Sequence, residues 1–142
     1  MIRKASDVWK GDLKAGKGTV STETGTLKDT QYSFTSRFES GIGTNPEELV
    51  GAAHAGCFSM ALSAGLSAAG FVPDQISTTA NVHLDKVETG FKITQIELVT
   101  EARVANIDEA KFQEIAAGTK VGCPISQALA SVEIKLTAKL IK

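Results

Sequence analysis

Apolar and polar residues alternate with a period of two through much of the second half of the chain. Between Ile76 and Leu84 one phase is mostly apolar and the other is polar. A second run extends from Phe91 to Val104, but its apolar phase changes near Thr94. Because successive side chains of a strand point to opposite faces, the two runs predict long, half-buried strands with a β-bulge at the phase break.

Other segments also have the pattern of strands. Thr19–Thr24 and Gln31–Phe38 are rich in β-branched and aromatic residues and are separated by turn-forming Gly and Asp, so they predict a hairpin. Ile2–Trp9 is a further candidate strand. Val132–Leu140 alternates cleanly and predicts the last strand of the chain.

A helix is predicted between these two β-rich parts. Asn45 is suited to cap it, Pro46 fits the first helical position, and Glu48 lies where a capping box needs an acid. No charged residue occurs in Leu49–Pro73, and the apolar pattern continues all round the helix until Gly70. Ala, Gly and Ser dominate this stretch and supply little transfer energy, so it predicts a buried core helix rather than a membrane span. Its glycines suit the close approach of another backbone.

Two further helices complete the pattern. Asp108 predicts the start of one that continues to about Lys120, and Pro124 predicts the start of a short one that ends near Leu129. Strands in hairpin pairs with segregated helices indicate the α+β class with antiparallel sheets. At this length the chain is expected to form one domain, residues 1–142.

Charge and composition exclude several classes of protein. The chain has 15 Lys and Arg against 16 Asp and Glu, whereas nucleic-acid binders usually carry a basic excess, so no nucleic-acid partner is predicted. Two cysteines are too few for a disulfide scaffold. The segment Met1–Asp7 is followed by no apolar region, so no signal peptide is predicted there. With no membrane association expected, the predicted compartment is the cytoplasm, where thiols are kept reduced.

The residues that could carry chemistry are the two cysteines and the two histidines. Together with His54 and His83 the cysteines could supply four metal ligands, but their spacings match no common zinc module. Cys123 is predicted at a helix N-cap, where a thiolate is favoured, while Cys57 lies within the apolar helix. From the residues alone, Cys123 is therefore the better-placed nucleophile and Cys57 the better core residue, and whether they form a redox pair stays open.

Three motifs carry a resemblance to a known family. They are Thr44–Leu49, Ala52–Leu62 and Gly122–Ser126, and together they resemble the OsmC/Ohr family. Gly16–Thr19 and Leu84–Val87 are similar to its OsmC branch, the osmotically inducible proteins. The resemblance covers essentially the whole chain. It implies an α+β homodimer with intertwined sheets around two central helices, and an antioxidant peroxidase that acts on organic hydroperoxides.

The resemblance also implies roles for four residues. Cys57 resembles the peroxidatic cysteine and Cys123 the resolving cysteine, which reverses the ranking from helix caps. Arg37 resembles the arginine that supports the thiolate, and Glu47 the glutamate that holds that arginine. A guanidinium favours the thiolate over a thiol that is mostly protonated at neutral pH.

The implied reaction uses no cofactor and no metal. The thiolate attacks the peroxide, Cys57 becomes a sulfenic acid, and Cys123 condenses with it to a disulfide. An external reductant, a small dithiol or a dihydrolipoyl protein, then restores both thiols.

The spacing of Glu47 and Cys57 has a geometric consequence. Ten helical residues rise about 15 Å, so these two side chains cannot meet through short contacts on one straight helix. Either the helix breaks, or Glu47 of one subunit serves Cys57 of the other, and the glycine-bearing helix favours the second. We therefore expect active sites shared across a two-fold interface. Phe38, Ile42 and Met60 are expected to form an apolar wall for an alkyl tail.

Two alternatives remain beside the peroxidase. The first is a non-catalytic stress-response protein of the same fold, in which both cysteines are core residues. The second is a metal-binding protein that uses the two Cys and two His residues.

Overall fold

The computed structural model describes all of residues 1–142 and contains two compact units, Met1–Leu49 and Val50–Lys142. Each unit has a three-stranded sheet, and each also contains helical residues. The predicted α+β class is confirmed. The single domain of residues 1–142 stays a prediction.

The first unit begins with a small antiparallel sheet. Its strands are β1 (Ala5–Lys10), β2 (Lys17–Thr22) and β3 (Thr30–Ser33), which pair in that order. The predicted hairpin and the candidate strand before it are therefore confirmed, with shifted boundaries.

The strand predicted to continue to Phe38 is wrong beyond Ser33. There the chain forms a short helix, α1 (Phe34–Phe38). The Ser33 hydroxyl accepts the Ser36 N–H at 3.3 Å, and the Ser36 hydroxyl accepts the Ser33 N–H at 2.8 Å. This reciprocal cap satisfies two backbone donors at the helix start and overrides the β propensity of the segment. Arg37 consequently lies on a helix.

The long apolar helix is α2 (Pro46–Ala68), and it begins as predicted. The Asn45 side chain accepts the Glu48 N–H at 2.8 Å, and Pro46 is the first helical residue. The capping box predicted at Glu48 is not formed, because its carboxylate accepts the Thr44 hydroxyl at 3.3 Å instead of the Asn45 amide. The chain leaves the helix at Gly70, whose φ of +90° favours glycine.

The sheet of the second unit starts with a long antiparallel pair. These strands are β4 (Pro73–Val87) and β5 (Gly90–Val104). Their register passes from His83 opposite Gln95 to Leu84 opposite Ile93, so Thr94 is the extra residue. The bulge predicted from the phase break is confirmed.

The last strand, β6 (Glu133–Ile141), pairs with β5 in parallel. The expectation of antiparallel pairing is wrong for this pair. The chain between them forms α3 (Glu109–Gly122) and α4 (Pro124–Ala128), and such a crossover returns it to the end of the sheet where β5 began. Asp108 caps α3 as predicted, accepting the Lys111 N–H at 2.8 Å.

One face of α2 joins the core of the second unit. That core combines side chains of α2, β5 and α3, with Phe58, Leu62, Leu66, Ile96, Leu98, Ala102, Phe112 and Ala116 buried. The opposite face of α2 is apolar but exposed, and it comprises Ala52, Ala53, Gly56, Met60 and Ala64. The prediction of a helix buried all round is wrong for a single chain, because the elements of its unit cover only one side.

Candidate active site

The two cysteines meet in the second unit. Cys57 is half-buried on α2, and Cys123, only 1% exposed, is the N-cap of α4. Both are free thiols, and each shifts the pKa of the other. Although 66 positions separate them in the sequence, the structure therefore places them in one site.

Two hydrogen bonds join the buried sulfur of Cys123 to Ser126. The Ser126 N–H donates to Cys123 Sγ at 3.3 Å, and the Cys123 S–H donates to the Ser126 hydroxyl at 3.3 Å. Burial raises the pKa of Cys123, but the Ser126 hydroxyl and amide, together with Cys57 and the Ile125 amide, outweigh it, so that this pKa is lowered. The N-cap position predicted from Pro124 is confirmed.

The pKa of the half-buried Cys57 is shifted in the opposite direction. Burial raises the pKa of Cys57, and the neighbouring Cys123 raises it further, while the Ile125 amide only partly compensates. No Arg or Lys is among the groups that lower it. Within this unit, Cys123 is therefore the better thiolate, in agreement with the ranking from helix caps alone.

The first unit contains an arginine side chain that a carboxylate holds in place. The Arg37 Nη2 and Nε donate to Glu47 Oε1 at 2.8 and 3.2 Å, and Nε also lies 3.3 Å from Oε2. The Glu47 side chain is 11% exposed and that of Arg37 35%. Fork-like pairing with a nearly buried carboxylate fixes the guanidinium plane. The guanidinium carbon also lies 5.1 Å from the centroid of the Phe38 ring, a cation–π contact.

An apolar cavity lies beside this guanidinium. It has a volume of about 290 Å³ and is lined chiefly by aromatic side chains of the first unit: Trp9, Leu13, Tyr32, Ser33, Phe34, Arg37 and Phe38. Phe38 was the one predicted wall residue that lines it. Ile42 and Met60 are 87% and 78% exposed and do not line it. The ring pairs Trp9–Tyr32 and Phe34–Phe38, at 5.4 and 4.9 Å, form much of its wall.

Sequence reasoning missed a second polar contact at the thiols. His54 Nε2 lies 2.8 Å from the Ser126 hydroxyl, and the ring is fully buried. Burial lowers the pKa of His54, which favours the neutral form of the imidazole. The three-residue spacing from His54 to Cys57 places both on one side of a helix, but nothing local in the sequence indicates the contact with Ser126.

The other histidine lies apart from the thiols. His83, on β4, pairs with Glu97 on β5 at 2.8 Å, and both side chains are exposed. No group of three or more His, Cys, Asp or Glu side chains is arranged to hold a metal ion. By length and composition alone α2 could cross a membrane, a test that core helices also pass.

Residues 39–137 match the family model described as OsmC-like protein. The chain belongs to this family. It is 55% identical to the peroxiredoxin OsmC of Escherichia coli K12, over 97% of this chain and 96% of that protein. It is 29% identical to the organic hydroperoxide resistance protein OhrB of Bacillus subtilis, over 86% of this chain and 89% of the relative.

Solved structures have the same fold as this OsmC-like protein. The crystal structure of B. subtilis OhrB aligns with a TM-score of 0.71 and 27% identity, over 96% of this chain and 98% of that one. An OsmC-like protein of Mycoplasma pneumoniae aligns with a TM-score of 0.77 at 14% identity, over 100% and 99% of the two chains. The second likeness concerns the fold alone. The family resemblance read from the sequence motifs is confirmed.

Proposed function

We propose that this OsmC-like protein is a thiol-dependent peroxidase that reduces organic hydroperoxides to alcohols. The observation that carries the proposal is the pairing of a half-buried thiol with a buried one whose pKa is lowered. Support also comes from the relatives named peroxiredoxin and organic hydroperoxide resistance protein. The aromatic cavity beside Arg37 has the size and character for a small organic tail.

In the proposed reaction Cys57 acts first. Its thiolate attacks one peroxide oxygen, the O–O bond breaks, and the leaving alkoxide takes a proton to become the alcohol. Cys57 is then a sulfenic acid. Cys123 displaces its hydroxyl group as water and forms the Cys57–Cys123 disulfide, which an external dithiol reduces. A small dithiol or a dihydrolipoyl protein in the cytoplasm is the proposed reductant.

Cys57 needs a cation for this role. Its pKa is raised by burial, whereas a nucleophile at neutral pH needs the thiolate. We assign that cation to Arg37, held by Glu47, because a guanidinium beside the sulfur lowers the pKa and also polarises the peroxide.

The cation is proposed to come from a second copy of the chain. α2 is unbroken from Pro46 to Ala68, so the alternative of a break between Glu47 and Cys57 has no support. Ten helical residues then separate them by about 15 Å along the axis. The exposed apolar face of α2, with its small residues, suits close packing against another copy in a homodimer.

Mass spectrometry of the intact protein tests the reaction. One equivalent of an alkyl hydroperoxide should lower the mass by two hydrogen atoms, and peptide mapping should find Cys57 joined to Cys123. Cys123→Ser should instead accumulate a sulfenic acid. Unchanged mass and unchanged thiol titration would contradict the proposal and favour a non-catalytic stress-response protein.

Mixing two inactive variants tests the shared site. Arg37→Ala supplies an intact Cys57, and Cys57→Ser supplies an intact Arg37. If the site forms across a dimer, random exchange of subunits should restore about a quarter of the wild-type sites. If both residues act within one chain, mixing restores nothing.

A further inference from the structure

His54 is a buried polar residue that the proposed reaction does not use. Its ring is fully buried on the core face of α2. Nε2 contacts the Ser126 hydroxyl at 2.8 Å, while Nδ1 is buried without a hydrogen-bond partner. Histidine is an expensive choice for a core position unless its ring nitrogens serve a purpose there.

Ser126 connects His54 to the buried cysteine. Its hydroxyl lies between His54 Nε2 and Cys123 Sγ, at 2.8 and 3.3 Å. The hydroxyl has a single hydrogen, so it can donate toward the imidazole or toward the sulfur, but not toward both. The direction of this one hydrogen therefore depends on which ring nitrogen of His54 carries a proton.

Two complete arrangements of hydrogens are available. With a Cys123 thiol, S–H donates to the hydroxyl, the hydroxyl donates to Nε2, and Nδ1–H is left buried without an acceptor. With a thiolate, Nε2–H donates to the hydroxyl, the hydroxyl donates to sulfur, and Nδ1 keeps only an unused lone pair. An orphaned buried N–H is the rarer and costlier defect. The neutral ring favours the second arrangement.

The geometry points to His54 as a positioning residue for Cys123: its Nε2–H turns the Ser126 hydroxyl toward the sulfur and holds it ready to attack an oxidised Cys57. This inference rests on the proposed function, because it concerns the resolving step. The Cys123 thiolate forms the S–S bond with its lone pair, and the S–O bond of the Cys57 sulfenic acid breaks. The departing hydroxide takes a proton from solvent to become water, which balances the proton that Cys123 released earlier.

The groups that face Cys123 come from two elements. Cys57 and, through Ser126, His54 act from α2, while the amides of Ile125 and Ser126 act from α4. No Lys, Arg, Asp or Glu is among the groups that shift its pKa. Within the chain, a change in the ionisation of Cys123 on substitution of His54 is therefore not masked by a neighbouring charged side chain.

The test measures the pKa of Cys123 from thiolate absorbance, with Cys57→Ser as the common background. Ser126→Ala should raise it by about one unit, a tenfold loss of thiolate below the pKa. His54→Phe, which keeps a ring but has no donor, should raise it in the same direction. His54→Gln, which offers an N–H near the Nε2 position, should restore it. Thr119→Val, which removes a buried hydroxyl bonded only to the Ile115 carbonyl, is the matched control and should leave it unchanged.

A double-mutant cycle separates positioning from packing. In the Ser126→Ala background, His54→Phe should produce no further change, because the connecting hydroxyl is gone. Equal effects with and without that hydroxyl would overturn the inference. If the Phe variant does not fold, ¹⁵N spectra of the imidazole in the unsubstituted protein decide the question. A proton on Nε2 while Cys123 is ionised supports the relay, and a proton on Nδ1 overturns it.

A kinetic experiment keeps this inference distinct from the proposed function. After one equivalent of peroxide, disulfide closure in His54→Phe should be about tenfold slower at neutral pH and recover at higher pH, with sulfenic acid formation unchanged. If disulfide closure in His54→Phe keeps the pH profile of the unsubstituted protein, the role of His54 is overturned but the proposed function is not. If the unsubstituted protein forms no disulfide, the proposed function fails instead.

Discussion

The two units of this protein differ in the chemical groups that each contains. Met1–Leu49 supplies a guanidinium fixed by a nearly buried carboxylate, beside an aromatic cavity, but it has no thiol. Val50–Lys142 supplies two interacting thiols, but no cation acts on them. Burial, together with the neighbouring Cys123, raises the pKa of Cys57. Within the second unit, these pKa directions favour Cys123 over Cys57 as the thiolate.

Removing one sulfur at a time should have the largest effect, because it shows which cysteine attacks the peroxide. Cys57→Ser should lower peroxide turnover by roughly 10³-fold or more, since loss of the nucleophile removes the covalent step. Cys123→Ser should still reduce one equivalent of peroxide in a first turnover. Rapid consumption assays measure both. The reverse outcome would make Cys123 the attacking sulfur, as the pKa directions within its own unit favour.

The next largest effect on activity is expected when Arg37, the cation of the first unit, is replaced. Arg37→Ala should lower kcat/KM by roughly 10²-fold, because a preorganised donor to the developing charge is lost. The acidic limb of the pH profile should also move to higher pH, as the pKa of Cys57 rises without the cation. Arg37→Lys keeps a charge but not the planar fork, and should recover only part of the activity. An unchanged pH profile in Arg37→Ala would mean that Arg37 does not act on the ionisation of Cys57.

Glu47 should have a smaller effect, because it acts only through the arginine. Glu47→Gln should lower kcat/KM by about tenfold through a displaced guanidinium. Glu97→Gln is the matched control, since Glu97 also pairs with a basic side chain but is 39% exposed. Steady-state rates of the two variants should differ clearly. Equal rates would mean that Glu47 is only a helix-start charge.

The smallest effect concerns stability. His54 has its pKa lowered by burial from the ordinary value of 6.5, so the unfolded chain binds a proton that the folded one resists. Its contribution is complete above pH 6.5 and declines as the pH falls below it, by at most about 1.4 kcal/mol per pH unit. His54→Gln should therefore flatten the decline in urea-unfolding free energy between pH 7 and 5. A decline as steep as in the unsubstituted protein would contradict this.

Local signals in the sequence predicted much of the fold. The caps at Asn45, Asp108 and Cys123 and the bulge at Thr94 depend on neighbours a few residues away, and all were predicted. The helix containing Arg37 was missed because Ser33 and Ser36 cap each other within a segment of strong β propensity.

Long-range arrangements could not be read in this way. The parallel pairing of β6 depends on a crossover through two helices, and the contact of His54 with Ser126 joins residues 72 positions apart. No periodicity encodes such a pairing. The roles predicted for four residues came from the family resemblance of the motifs, because residue spacing alone does not indicate them. These residues are Cys57, Cys123, Arg37 and Glu47.

The positions of Cys57 and Cys123 along the chain have a thermodynamic consequence. β4, β5 and α3 all lie between them, so a bond joining them would close a loop of 66 residues. By the loop-closure relation such a cross-link removes enough unfolded-state entropy to stabilise the fold by about 4 kcal/mol. Oxidation would then make the spent enzyme more heat-resistant than the active one, and the melting temperature would record which form a sample contains.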